Sequence, residues 1–284
     1  MNDSTVKTPL INWSELLKLS QPQPPKRDPD DGNMWDDAAY MYFKMAAMER
    51  EYTGAQLDSF EVTSEDTVLD VGCGPGRIAV PMARKSKSVT AVDSSEKMLL
   101  YCDINAQEAG LTNLKTRLLD WRTAEPDVTL EKHDIVIASR SVGMQDIEKL
   151  TSFARKYAVM IAWANSPCIP NILGDLFRGT SAFNEMHHPR PLDRRLGYNV
   201  FYNMVYDLGY DPNIKIVTDG FTKDYVDCEE AYADLALLGK IEINEMDIFC
   251  SNCDKWLSKN DKGGITFRRE TKSFVLWWSP NKRF

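Results

Sequence analysis

The segment VLDVGCGPGRIAV, residues 68–80, constrains this chain more than any other. An apolar, β-branched run meets Gly72, Gly74 and Gly76 and passes straight into a helix-compatible stretch. Glycines there let the backbone turn tightly and approach a ligand without Cβ clashes, while the following helix start offers unpaired N–H groups. A strand, a glycine turn and a helix in immediate succession form the first half of a βαβ unit, so the segment demands a parallel sheet.

The rest of the chain agrees. Short apolar runs TVLDV (67–71), VTAVD (89–93), LKTRLLD (114–120), DIVIAS (134–139) and AVMIAW (158–163) alternate with the helix-compatible IAVPMARKS, SEKMLLYCDINAQEAG and DIEKLTSFARKY. That alternation predicts a doubly wound α/β domain with right-handed crossovers. A helix-prone stretch beginning at Trp35 precedes the first strand. Residues 1–34 hold one short amphipathic piece, Ile11 to Leu19, and a proline-rich run, and they read as an N-terminal arm. Residues 193–210 read as a helix, and NIKIVTD (213–219) and SFVLWWS (273–279) as the last strands. The stretches 165–192 and 220–272 are then insertions on the substrate side, the second a lid with a helix near Glu229 to Leu238.

Of the 284 residues 43% are hydrophobic and 27% charged, enough for a sizeable core. The formal net charge of −8 opposes binding to a phosphate backbone, so nucleic acid is not the expected partner. No apolar run is long enough to span a membrane, and MNDSTVKTPLINW lacks the apolar core of a signal peptide, so a cytoplasmic protein without a membrane partner is expected. Six cysteines scattered along a long chain fit reduced thiols.

A dinucleotide loop reads G-x-G-x-x-G, whereas this one reads G-C-G-P-G with Asp70 two residues before the first glycine. A second acid, Asp93, closes the next strand, LLDW (118–121) closes the third, and HDIVIASRSVG (133–143) forms the fourth. In this order and spacing the four motifs resemble the class I S-adenosylmethionine-dependent methyltransferases, over about 35–219 and 273–279. The resemblance implies a seven-stranded, mostly parallel sheet with strand seven antiparallel between strands five and six. It implies S-adenosylmethionine as cofactor, near Asp70, Gly72, Cys73, Gly74 and Gly76, with Asp93 on the ribose. Asp120 would meet the adenine amino group and Trp121 cover the adenine ring, and Ser94, Met98, Ser139 and Tyr40 complete the expected cofactor set. A core position for Trp121 and a helix-start role for Asp93 are the plain alternatives.

Methyl transfer needs alignment of nucleophile and methyl more than it needs a metal, and none is expected. If a side-chain base serves, His187 and His188 are the economical candidates, with Arg140 beside them at the end of strand four; His133 should face solvent. Arg140, Arg178, Arg190, Arg194 and Arg195, converging on one pocket, would select an anionic acceptor, whereas local salt bridges are the plain reading. Tyr198, Phe201 and Tyr202 share one helix face, the usual mark of core packing. Cys250 and Cys253 have metal-ligand spacing without a second ligand pair. The implied reaction is methylation of a small molecule or a protein side chain. A non-catalytic cofactor sensor or partner subunit stands as the alternative, and an aminopropyl transferase lacks its expected acidic run.

Overall fold

A computed structural model describes residues 11–20, 33–185 and 197–281. Its centre is a sheet of five parallel strands, β1 (Thr67–Val71), β2 (Ser88–Asp93), β3 (Leu114–Leu118), β4 (His133–Ser139) and β5 (Ala154–Trp163). β6 (Asn213–Tyr225), the short β7 (Leu257–Lys259) and β8 (Ile265–Trp278) extend it in the order β3-β2-β1-β4-β5-β8-β6, with β7 on the free part of β8. β8 runs antiparallel between β5 and β6, as the resemblance implies.

Strands in the middle of such a sheet are covered on both faces, which is why β1 and β4 are apolar almost throughout. Alternation along each strand splits their side chains between two cores. Leu69, Val71, Val136 and Met160 pack with Leu150 of α6 (Ile147–Ser152), Val205 of α9 (Tyr198–Asp207) and Trp278. Val68, Ile135, Ile137 and Val159 pack instead with Leu57 of α3 (Arg50–Leu57), Met82 of α4 (Ala79–Ala83) and Leu99 of α5 (Glu96–Glu108). Tyr198 and Phe201 lie against Phe274, so that aromatic helix face is core. The short helix α1 (Trp13–Ser20) packs on α9.

The Trp278 indole N–H donates to the Thr151 hydroxyl at 2.9 Å inside the first core. Trp278→Phe removes that bond and part of the ring volume, and should cost roughly 1–2 kcal/mol in denaturant unfolding. An unchanged midpoint would show that the core collapses around the smaller ring.

The last two strands are longer than their apolar cores suggest. Pairing of β5 with β8 ends at Trp163 and Ser273, but β6 and β8 stay paired out to Tyr225 and Ile265. The segment between them is therefore 226–264 rather than 220–272. The polar sequence TKDY and its partner TFRRE hid the extension, because a hairpin half-exposed beyond the sheet needs no continuous apolar run. This projecting hairpin carries a third core. Phe221, Tyr225 and Phe267 pack there with Phe177 beside α7 (Ile169–Leu176), Leu235 of α10 (Cys228–Ala236) and Phe249 of α11 (Met246–Cys253). The Phe177 and Phe249 rings stack at 5.1 Å.

Helix α2 (Met34–Met48) joins this lobe to the rest. Met45 and Met48 lie in the third core, and Lys44 pairs with Asp234 of α10. Asp234 also takes Lys223 Nζ and the Tyr225 hydroxyl, each at 2.8 Å. Because β6 runs parallel to β5, the lobe stands over the C-terminal ends of the parallel strands, the edge where open α/β sheets hold ligands.

Candidate functional site

The turn after β1 places Gly72, Gly74 and Gly76 at φ of 67°, 53° and 84°, a region that residues with a Cβ enter at a cost. The N–H groups of Gly72 and Cys73 both donate to the Val92 carbonyl, at 2.8 and 3.0 Å, tying the turn to the end of β2. The three glycines do different work. A Cβ on Gly72 would stand 2.6 Å from the Ser141 Cβ, and one on Gly76 would stand 2.8 Å from Cys102 Sγ, so both are required by packing. A Cβ on Gly74 would meet only Met98 Sδ, at 3.8 Å, so this is the glycine that opens onto free space. Gly72→Ala should cost about 2 kcal/mol of stability from strain and overlap, and Gly74→Ala about half as much. Thermal melts that rank the two in the opposite order would overturn this division of roles.

Asp93 closes the turn from the other side. Its carboxylate accepts the Gly74 amide at 2.9 Å and the Ser95 amide at 3.0 Å. Burial pushes this carboxyl above the usual range, and the amides of Gly74, Ser95 and Ser94 pull it part of the way back. Ser95 caps α5 through the Met98 amide, so Asp93 stands beside the helix start without capping it. Ser94 is exposed and its carbonyl accepts the Asn33 side-chain amide at 2.7 Å, while Met98 is buried. Asp36 of α2 binds the Ser95 hydroxyl, which draws the N-terminal helix against this corner. A cleft of about 720 Å³ opens there, lined by Asp36, Asp37, Tyr40, Lys97, Tyr101 and Lys240. Tyr40 is half exposed on its rim, 6.3 Å from the Tyr101 ring.

Asp70 is the unusual group. Its side chain is buried, and neither carboxylate oxygen has a hydrogen-bond partner of normal geometry. Burial pushes the carboxyl up to about 7, against the weaker pull of the Arg77 guanidinium and the Ala79 amide. An unpaired buried carboxylate is costly in an isolated fold and becomes an asset when a cationic ligand group meets it.

At the end of β4, Arg140 does not reach for an acceptor. Its φ is 53°, a strained value for a side-chain-bearing residue, and that backbone sends the guanidinium between two buried acids. Arg140 Nη1 lies 2.6 Å from Glu49 Oε1, Nη2 lies 2.6 Å from Asp219 Oδ2, and the group stacks on the Trp163 ring at 3.8 Å. A guanidinium so engaged is a fixture of the scaffold, so the expected catalytic or acceptor-binding role for Arg140 is corrected. Ser139 accepts from Arg77. Arg178 pairs with Asp175 at 3.2 Å near the surface, the plain reading. His187, His188, Arg190, Arg194 and Arg195 lie outside the described residues.

Two further expectations change. Trp121 is 4% exposed and packs on Phe153 at a centroid distance of 4.8 Å, so its ring is core and is not available to cover an adenine. Its neighbour Asp120 is more open and accepts from the Arg122 amide and guanidinium, which hold its carboxyl below the usual range. His133 is buried too, with Nδ1 2.9 Å from the Glu131 carbonyl and Nε2 2.9 Å from the Thr90 hydroxyl. Cys73 is buried with its thiol against Cys102, a filler beneath the turn. Cys253 lies in the third core, and among the described residues no cluster of three or more His, Cys, Asp or Glu forms a metal site.

Sequence reasoning missed Glu49, Arg77 and Asp36. Arg77 stands in the glycine segment and was legible as a charge at a helix start. Glu49 and Asp36 lie among other acids of an amphipathic stretch, and nothing local distinguishes them.

Residues 62–168 match the family profile described as a methyltransferase domain. An uncharacterized Haemophilus influenzae protein is 36% identical over 127 residues, 43% of this chain and 47% of that protein. The chain thus spans about half of that relative. A Methanococcus maripaludis cobalt-precorrin-6B C(15)-methyltransferase (decarboxylating) is 27% identical over 133 residues, 46% of this chain and 70% of that one. A solved Bacillus halodurans structure, described as a candidate methyltransferase, shares the fold with a TM-score of 0.50 at 13% identity, covering 80% of this chain and 98% of that one.

Proposed function

We infer that this chain, which carries a class I S-adenosylmethionine-dependent methyltransferase domain, transfers a methyl group from S-adenosylmethionine to a small-molecule acceptor. The observation that carries the reading is the pairing of an orphaned buried carboxylate, Asp70, with a glycine turn whose middle member faces free space. These residues fit the cofactor. Asp70 suits the ammonium of its amino-acid part, Gly74 leaves room for the chain that follows, and Asp93 keeps lone pairs for the ribose hydroxyls. When bound, the cofactor supplies a sulfonium whose methyl is already activated for in-line displacement. The chain's own work is then to bind, to orient and to exclude water, with α2 and the lobe over the strand ends.

With Arg140 committed to Glu49 and Asp219, nothing among the described residues singles out an anionic acceptor. The net charge of −8 favours a small molecule over nucleic acid. Six unpaired thiols agree with a reducing compartment such as the cytoplasm, and among the described residues no helix is long and apolar enough to cross a membrane.

The test is incubation of the protein with methyl-labelled cofactor and separated metabolite, protein and RNA fractions, followed by mass spectrometry. Label in a metabolite is expected. Label confined to RNA or protein would overturn the acceptor class, and cofactor binding without transfer to any fraction would leave a sensor.

A further inference from the structure

Arg77 and Asp70 are the natural partners that do not pair. They lie in each other's field, yet neither Asp70 oxygen has a hydrogen-bond partner of normal geometry and the Arg77 guanidinium makes its bonds at the break between α2 and α3. There its Nε sits 3.0 Å from Glu49 Oε2, its Nη1 donates to Gln56 Oε1 at 2.8 Å, and its Nη2 donates to the Ser139 hydroxyl. Glu49 is 1% exposed and Gln56 fully buried, so this seat is built into the interior. Glu49 also takes Arg140 at 2.6 Å, but Arg140 has a second acid in Asp219 and a hydroxyl in Ser273. Among the described residues, Glu49 is the carboxylate within ion-pair distance of Arg77.

We propose that Glu49 is a positioning residue of the cofactor site: by holding Arg77 away, it keeps the Asp70 carboxylate unpaired for the cationic group of the ligand. The inference rests on the functional reading above. Removing the Glu49 charge leaves Arg77 one unspent carboxylate nearby, Asp70, and an Arg–Asp pair formed there occupies the ligand's place. The charged and titratable groups facing Asp70 are Arg77 from the turn, Asp93 from β2 and the Cys73 thiol, with Glu49, Arg140 and Asp219 behind Arg77.

Calorimetric titration with S-adenosylmethionine between pH 6 and 8 tests this. In the wild-type protein affinity should rise through about pH 7, because Asp70 must ionise to take a cation. In Glu49→Gln, binding should weaken roughly 10- to 100-fold and lose that pH dependence, since a paired Asp70 is ionised throughout. In Glu49→Gln/Arg77→Met the competitor is gone, and affinity and pH dependence should both return. A merely structural role for Glu49 predicts no rescue. Should Glu49→Gln fail to fold, Arg77→Met alone must still bind and must shift the pH midpoint upward. Wild-type-like binding by Glu49→Gln, no gain in the double variant, or loss of binding in Arg77→Met overturns the inference. A wild-type protein that does not bind the cofactor overturns the functional reading itself.

Discussion

Between pH 4 and pH 7 the unliganded protein is expected to lose on the order of 4 kcal/mol of stability through Asp70 alone, because its carboxyl ionises near 3.8 when unfolded and near 7 in the fold. Below about pH 4 the group is protonated in both states and burial costs little. As pH rises, the unfolded chain releases the proton while the buried site resists, so unfolding gains ground until the folded group ionises as well. Above 7 the loss is complete and the slope from this residue flattens. Asp93, also raised by burial, adds a loss of the same sign, whereas Asp134, held low by Arg155 and Thr67, contributes stability that is fully present above about pH 4 and is lost only as the pH falls below it. The comparison that isolates Asp70 is therefore wild type against Asp70→Asn, unfolded in denaturant at pH 4.5 and 7.5. The variant should be the more stable at the higher pH, by an amount that vanishes toward the lower one. Equal slopes for the two proteins would mean that water or a moving neighbour satisfies this carboxylate.

Asp93→Ala should weaken cofactor binding by roughly 2–4 kcal/mol, a loss of about 30- to 1000-fold. Part of that comes from ribose hydroxyls left without a charged acceptor. The remainder comes from the protein: the Asp93 carboxylate holds the Gly74 amide at 2.9 Å and the Ser95 amide at 3.0 Å, so its removal frees the turn that opens onto free space at Gly74. Asp93→Asn keeps an acceptor for one amide and should fall between wild type and Ala. Calorimetry on folded Asp93→Ala showing unchanged affinity would remove Asp93 from the site. A fall in melting temperature with intact affinity would make it a purely structural clasp.

The parallel strands were legible because each signal is local or periodic, whereas the antiparallel place of β8 followed only from the family resemblance. Apolar runs of strand length alternate with helix-length segments, and a glycine turn needs glycine wherever it is built. Asp70 and Asp93 were legible for the same reason, standing at fixed distances from the glycines. What failed depended on partners distant in sequence. Arg140 looked like a free cation at a strand end until Glu49, 91 positions away, and Asp219, 79 positions away, closed on it. Trp121 and His133 looked accessible until Phe153 and Thr90 covered them.

By itself the sequence determined the α/β order, the glycine turn and the two acids that flank it, since each is written in contiguous residues whose backbone preferences and spacing suffice. Only the tertiary structure decided which glycine of the turn opens onto free space, which arginine is committed, and that Asp70 stays unpaired. A charge's partner and a side chain's burial are properties of the packed neighbourhood, and the same Arg or Asp carries no mark in the chain of whether its counter-charge has already been taken.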